Sequence, residues 1–264
     1  MSDTDTDTKL TLINAIKYES IETITNIINN YRNIDINEQD EDGNTVLMLA
    51  VQHTKDIKII QYLYNTFKDT IDINRQDKHG DTAFMLAAKY NTNVAVIQYL
   101  CDKFKDTIDI NKQDNKGYTA FMFAVRFNTN EKVTQCLCDT FKDTIDTDLQ
   151  DNHRYNAFMF AVRFNTNEKV TQCLCDTFKG KIYIKRLNYD DGNTALMLAI
   201  QYNTNEKVIQ YLCDTFKDEI DINIKNYCAY TALMVALESN EKVIQYLCDT
   251  FKDTIDINKQ DNDG

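Results

Sequence analysis

One short stretch returns along this chain at a nearly constant interval, and no other feature restricts its possible folds as much. Thr-Ala-(Leu/Phe)-Met-x-Ala begins at Thr45 (with Val46 in place of Ala), Thr82, Thr119, Asn156 (in place of Thr), Thr194 and Thr231, at spacings of 37 residues with a single 38. Leu12-Ile13-Asn14-Ala15 is a weaker copy, and residues 120–142 return unchanged as 157–179. Self-similarity at a period of about 20–50 residues marks a repeat array. Each unit is too small to bury its own apolar face, so neighbours must bury it by stacking, and stability becomes a sum of repeat and interface contributions.

The local grammar of one unit predicts two helices. In the copy opening at Asn193, Thr194 can accept an orphan backbone N–H as N-cap, and residues 195–200 form a short apolar helix with small alanines. Asn203-Thr204-Asn205 ends it, and Asn205 can cap a second helix. There Val208, Ile209, Leu212 and Phe216 fall on one stripe. Ile220-Asp221-Ile222-Asn223 is an extended exit, and a polar turn leads to the next copy. This spacing divides the chain into an acidic tail (1–9), a capping repeat (10–39), full repeats at 40–76, 77–113, 114–150, 151–188, 189–225 and 226–260, and a stub at 261–264.

The unit D-x-x-G-x-T-A-L-M-x-A…V-I-x-Y-L…D-I-N resembles the ankyrin repeat, whose usual core reads D-x-x-G-x-T-P-L-H-x-A. The resemblance covers nearly the whole chain from Leu10. It implies an all-α ankyrin-repeat solenoid of helix-turn-helix units joined by β-hairpin-like loops. Gly43, Gly80, Gly117 and Gly192 occupy the turn-glycine site. The family's Pro is Ala or Val in every full copy, the His is Met (Met48, Met85, Met122, Met159, Met197, Met234), and the chain contains no Pro. The period exceeds the family's, and the second helix is expected to run almost a turn longer, through Cys101 to Lys105. Arg154 and Ala229 replace the turn Gly, where a non-Gly residue in left-handed geometry costs about 1–2 kcal/mol. The sixth copy lacks two residues after its first helix. The last helix pair is expected to leave an apolar flank uncovered, including some of Val243, Ile244, Leu247 and Phe251.

Composition narrows the function. With 29 basic and 41 acidic residues the net charge is -12, which disfavours a phosphate backbone or an anionic membrane face as partner. The start, MSDTDTDTK, has no apolar stretch of a signal peptide, and no run approaches the ~20 apolar residues that span a bilayer. The expected location is intracellular and cytoplasmic, in a host cell if the source is viral or bacterial. The 8 cysteines follow the repeat, which favours free thiols over disulfides. Cys136/Cys138 and Cys173/Cys175 have i, i+2 spacing on a predicted helix, pointing about 200° apart, so neither pair can share a metal. His53, His79 and His153 have no nucleophile beside them, and there is no glycine-rich phosphate loop. No catalytic residue, metal site, cofactor or small-molecule substrate is expected. The basic cluster at 179–186 reads as drift in a degenerate repeat or, alternatively, as a patch for an anion or acidic peptide. Asn37, Asn74, Asn111, Asn223 and Asn258 follow Asp-Ile, where ankyrin repeats of the family include substrates of asparaginyl hydroxylases; their plainer role is to serve the turn.

The resemblance also implies a binding surface, a concave groove lined by hairpin tips and the exposed ends of first helices. Carried over copy by copy, those positions put Tyr118, Tyr155 and Tyr230 at tips. Aromatics stand at one helix-end site in four successive copies (Tyr90, Phe127, Phe164, Tyr202), and cations precede three of them (Lys89, Arg126, Arg163). Aromatics with Arg are the composition of binding hot spots. The same aromatics could instead pack under the inter-helix loop, and the sequence leaves both readings open. The function expected is non-enzymatic recognition of a protein partner, a host protein where the source is a parasite or virus. The alternatives are an expanding repeat with no fixed partner and a nucleic-acid-binding module.

Overall fold

The structure, a computed structural model, describes residues 12–13, 15–16, 21–30, 34–54, 56–238 and 241–262. The tail at 1–9, Asn14 of the weak first copy, Ser239 and the last turn residues Asp263 and Gly264 lie outside them. Contacts concentrate in two compact units, Met1–Phe141 and Lys142–Gly264. The division falls inside the expected third repeat, between its second helix and its exit.

Unit 1 contains α1 (Ile21–Asn30), α2 (Val46–His53), α3 (Ile57–Phe67), α4 (Ala83–Tyr90), α5 (Val94–Phe104), α6 (Ala120–Phe127) and α7 (Glu131–Phe141). Unit 2 contains α8 (Ala157–Phe164), α9 (Glu168–Phe178), α10 (Ala195–Tyr202), α11 (Glu206–Phe216), α12 (Ala232–Leu237) and α13 (Glu241–Thr250). Within each unit first helices pack on first helices (α2, α4, α6; α8, α10, α12) and second helices on second helices (α3, α5, α7; α9, α11, α13). This is an all-α helical repeat array. The hairpin connections are almost wholly turns, with one isolated antiparallel bridge, Gln76 to Thr82, among the described residues.

Short first helices hold because their ends are closed. Thr45, Thr82, Thr119, Asn156, Thr194 and Thr231 each accept the backbone N–H three residues on. At three of these caps the methionine answers: Met48 Sδ accepts Thr45 N–H at 3.3 Å, and Met85 and Met234 do the same for Thr82 and Thr231. Sulfur here takes the place of the acid in a capping box. Met48, Met85, Met122, Met159 and Met197 are all buried. Second helices begin on a side-chain cap, such as Asn93 or Asn205, and α5 ends at Phe104 with Lys105 as its C-cap.

Asparagines that close a first helix also clamp the repeat before it. Asn91 Nδ2 donates to Val51 O and Thr54 O, both at 2.9 Å. Asn128 does so to Ala88 O and Asn91 O, and in unit 2 Asn203 to Val162 O and Asn165 O. These Nδ2 groups fill the carbonyls left over at a helix end. The Asp-Ile-Asn asparagines act in the same way across the exits. Asn74 donates to Thr107 O and accepts from Asp109 N, and Asn37 and Asn223 do likewise one repeat on. They serve the junction to the next repeat rather than only their own turn.

The turn glycines are in the left-handed region, and a Cβ on Gly43 would come within 2.7 Å of Lys78 N in the next hairpin. Arg154 (φ 61) and Ala229 (φ 63) hold that conformation without glycine's freedom. At the far end of unit 2, Val243, Leu247 and Phe251 are buried, and of the four residues expected on an uncovered flank Ile244 is half-exposed, where the equivalent Ile209 is buried. Exposure falls also on Leu237 (68%), with Leu233 and Met234 half-exposed where Leu196 and Met197 of the preceding repeat are buried.

Candidate functional site

Hairpin tips and first-helix ends meet at a fixed separation of eight residues. In unit 1 the Arg126 guanidinium donates to the Tyr118 hydroxyl, and in unit 2 Arg163 donates to Tyr155 and Asn193 Nδ2 donates to Gln201 Oε1. At Tyr118 and Tyr155 the tip residue thereby aims the cation that the helix carries.

In unit 1 the ring faces are covered by those cations. Lys89 Nζ lies 4.8 Å from the Tyr90 ring centre, 4.7 Å from Phe123 and 5.6 Å from Phe127. Arg126 lies 4.7 Å from Phe127 and 5.5 Å from Tyr118. Tyr118 stacks on Phe123, with centroids 5.1 Å apart. Beside this cluster the tip residue Asp81 is buried, and its Oδ1 has no hydrogen-bond partner. Burial, with help from Asp77 and Asp114 and against the pull of Lys89 and His79, pushes its carboxyl up to about 6.

In unit 2, Arg163 lies 4.0 Å from the Tyr202 ring centre, 4.8 Å from Phe164 and 5.1 Å from Tyr155. Tyr155 is itself buried, stacks on Phe160 and accepts a second hydrogen bond from Asn188 Nδ2 at 2.7 Å. Burial keeps its phenol above the usual value, so it stays protonated and its oxygen remains an acceptor. Tyr155 is therefore an underpinning of Arg163 and not a wall of an open surface. Tyr230 is half-buried and heads a repeat whose helix is followed by Glu238 rather than a cation.

Tyr90, Phe127, Phe164 and Tyr202 are 45, 43, 41 and 40% exposed. These rings are therefore partly at the surface, while Phe127 and Phe164 also rest on the buried Phe123 and Phe160. The sequence did not reveal the tip-to-helix pairing, although its signal is there: Tyr118 goes with Arg126, Tyr155 with Arg163 and Asn193 with Gln201 at the same offset. Asp81 was missed as well, because only structure shows that its carboxylate lacks a partner.

The other candidates come to less. All eight cysteines are free thiols; six are buried, Cys248 is half-exposed and Cys228 is exposed. Cys101 has a neighbour after all. The Cys136 thiol lies close enough to push the Cys101 thiol well above the usual value, and Cys136 itself donates to Gln98 Oε1 at 3.2 Å. Among the described residues no group of three His, Cys, Asp or Glu could hold a metal, and no helix is long and apolar enough to cross a membrane. In the basic cluster Arg186 pairs with Asp148 at 2.7 Å and Lys181 caps Lys142 O, so part of its charge is already committed.

Ankyrin repeats, in a family model of three copies, match residues 12–114 and 158–261, and the chain belongs to the ankyrin-repeat family. No curated protein matches it. Among solved structures it is similar to the ankyrin repeat domain of Bcl-3, described as a unique member of the IkappaB protein family. The identity is 22% over 90% of this chain and 97% of that one, with a TM-score of 0.66. Ankyrin repeats are in general protein-interaction modules.

Proposed function

We propose that this chain is a non-catalytic recognition module that binds a protein segment on the hairpin tips and first-helix ends within a unit. The supporting observation is the run of half-exposed aromatics at one repeat position, Tyr90 and Phe127 in unit 1 and Phe164 and Tyr202 in unit 2, each under a cation from its own or a neighbouring repeat. Solvent-exposed rings gain nothing from standing in water, and hot spots draw on flat aromatics beside guanidinium groups. The partner is a protein, a host protein if the source is a parasite or virus. Nucleic acid is disfavoured by the net charge of -12.

A photo-reactive amino acid at Phe127 or Phe164, with controls at the exposed second-helix positions Asp139 and Asp176, tests this reading. Cross-links to one protein from the aromatic positions alone are expected, and Tyr90→Ser/Phe127→Ser and Phe164→Ser/Tyr202→Ser should abolish them without lowering the melting temperature. Equal cross-linking from the control positions would count against it.

A further inference from the structure

Arg163 is a charge in unit 2 without a balancing carboxylate among the described residues. Its guanidinium is half-buried, donates from Nη1 to Tyr155 and is stacked against Tyr202 and Phe164. Its Nε–H is buried and has no hydrogen-bond partner, and no carboxylate pairs with it among the described residues. Elsewhere in the same unit a guanidinium of similar depth is paired: Arg186 meets Asp148 at 2.7 Å. Acidic groups are close enough to have been used. Asp190 and Asp191 are felt by Tyr155, yet Asp190 turns to His153 at 3.0 Å. In a chain with 41 acidic residues, an immobilised guanidinium without a counter-charge is out of keeping with its surroundings. Leaving a desolvated cation unpaired is costly, and a carboxylate arriving from outside would remove that cost.

Resting on the recognition reading above, we infer that Arg163 is a carboxylate receptor, and that the partner segment presents an Asp or Glu next to a flat apolar side chain. The carboxylate would meet the terminal nitrogens of the guanidinium, which Tyr155 and Asn188 hold in place from beneath. The apolar neighbour would cover the exposed parts of the Phe164 and Tyr202 side chains, which are 41% and 40% exposed. Held between rings and fixed by a phenol, the guanidinium loses little freedom on binding, which favours affinity.

The probe is a phage-displayed random dodecapeptide library selected on the immobilised full chain, with the recovered peptides synthesised and titrated. Peptides carrying Asp or Glu beside an aromatic or aliphatic residue are expected. Arg163→Gln, which keeps a donor but removes the charge, should weaken them about tenfold or more, the effect of losing a charge-assisted hydrogen bond. Arg163→Lys should recover only part of this, because a point charge replaces a planar fork. Arg186→Gln, the same charge change outside the site, should leave affinity unchanged, and melting curves on all samples confirm folding. Binders that lack a carboxylate, or that Arg163→Gln weakens less than twofold, overturn the receptor. If such binders are still lost with Phe164→Ser/Tyr202→Ser, the recognition reading survives that result. A library that yields no peptide sensitive to either set of substitutions overturns both.

Discussion

Asp81 shows how much one side chain can depart from its copies. The same tip is Asn44 one repeat earlier, and Asn44 Nδ2 reaches both carboxylate oxygens of Asp40 at 3.3 and 3.4 Å. Asp81 faces the equivalent Asp77 with a second negative charge instead of a donor, under a raised carboxyl of about 6. A carboxyl whose folded value lies above its unfolded value binds its proton more tightly in the folded state. Its contribution is therefore most favourable below pH 4 and is lost as pH rises through 6. Asp81→Asn should raise the melting temperature at pH 7 by about 2–4 °C, equivalent to about 1 kcal/mol, and the gap to wild type should close by pH 4. Parallel thermal melts across that range check it; a gap that does not depend on pH would point away from Asp81 titration. Thiol labelling is a second residue-scale test. Cys228 should react within the dead time of a native assay and Cys248 more slowly, with the six buried thiols reacting only on unfolding, to a total of eight. The repeat-locked cysteines were legible as free thiols from sequence. The contact between Cys101 and Cys136 was not, because they sit at different repeat positions and meet only when the second helices stack.

Helices and caps were the most legible elements. The Thr-x-x-Met openings, the Asn-x-Lys and Asn-x-Ala starts of second helices and the Asp-x-x-Gly turns are local rules that act over a few residues, and the structure realises them at the expected places. The junctions were less legible, since a hydrogen bond spanning about forty residues leaves no local trace. Only the regular recurrence of Asn91, Asn128, Asn165 and Asn203 hinted at a shared duty. Asn203→Ala should orphan the carbonyls of Val162 and Asn165 and destabilise unit 2 by about 1–3 kcal/mol for each buried group left unmet, read by chemical denaturation. Asn91→Ala offers the same experiment in unit 1. At the opposite extreme α12, on which α13 packs, is only six residues long and ends at the exposed Leu237. Amide exchange in 241–250 should be faster than in 94–104, whose partner first helix is eight residues long and buried from Ala83 to Ala88; equal protection would contradict this.

Taken as a whole, the chain distributes its backbone strain unevenly. Among the described residues, unit 1 has glycine at each of its left-handed turns, whereas unit 2 has one glycine there, Gly192, and holds Arg154 and Ala229 in the same conformation. Ala229→Gly should stabilise unit 2 by about 1 kcal/mol, the relief of left-handed strain less the extra freedom glycine has when unfolded. Exchange protection should rise in unit 2 and stay constant in unit 1. The asparagine clamps carry a further, mechanical consequence. Each ties one repeat to the one before it and to no other, so within a unit tension applied from an end would load one junction at a time. The unit would yield in steps, each releasing one repeat's length of chain and returning when the load falls, which is how an extensible tether behaves rather than a rigid strut.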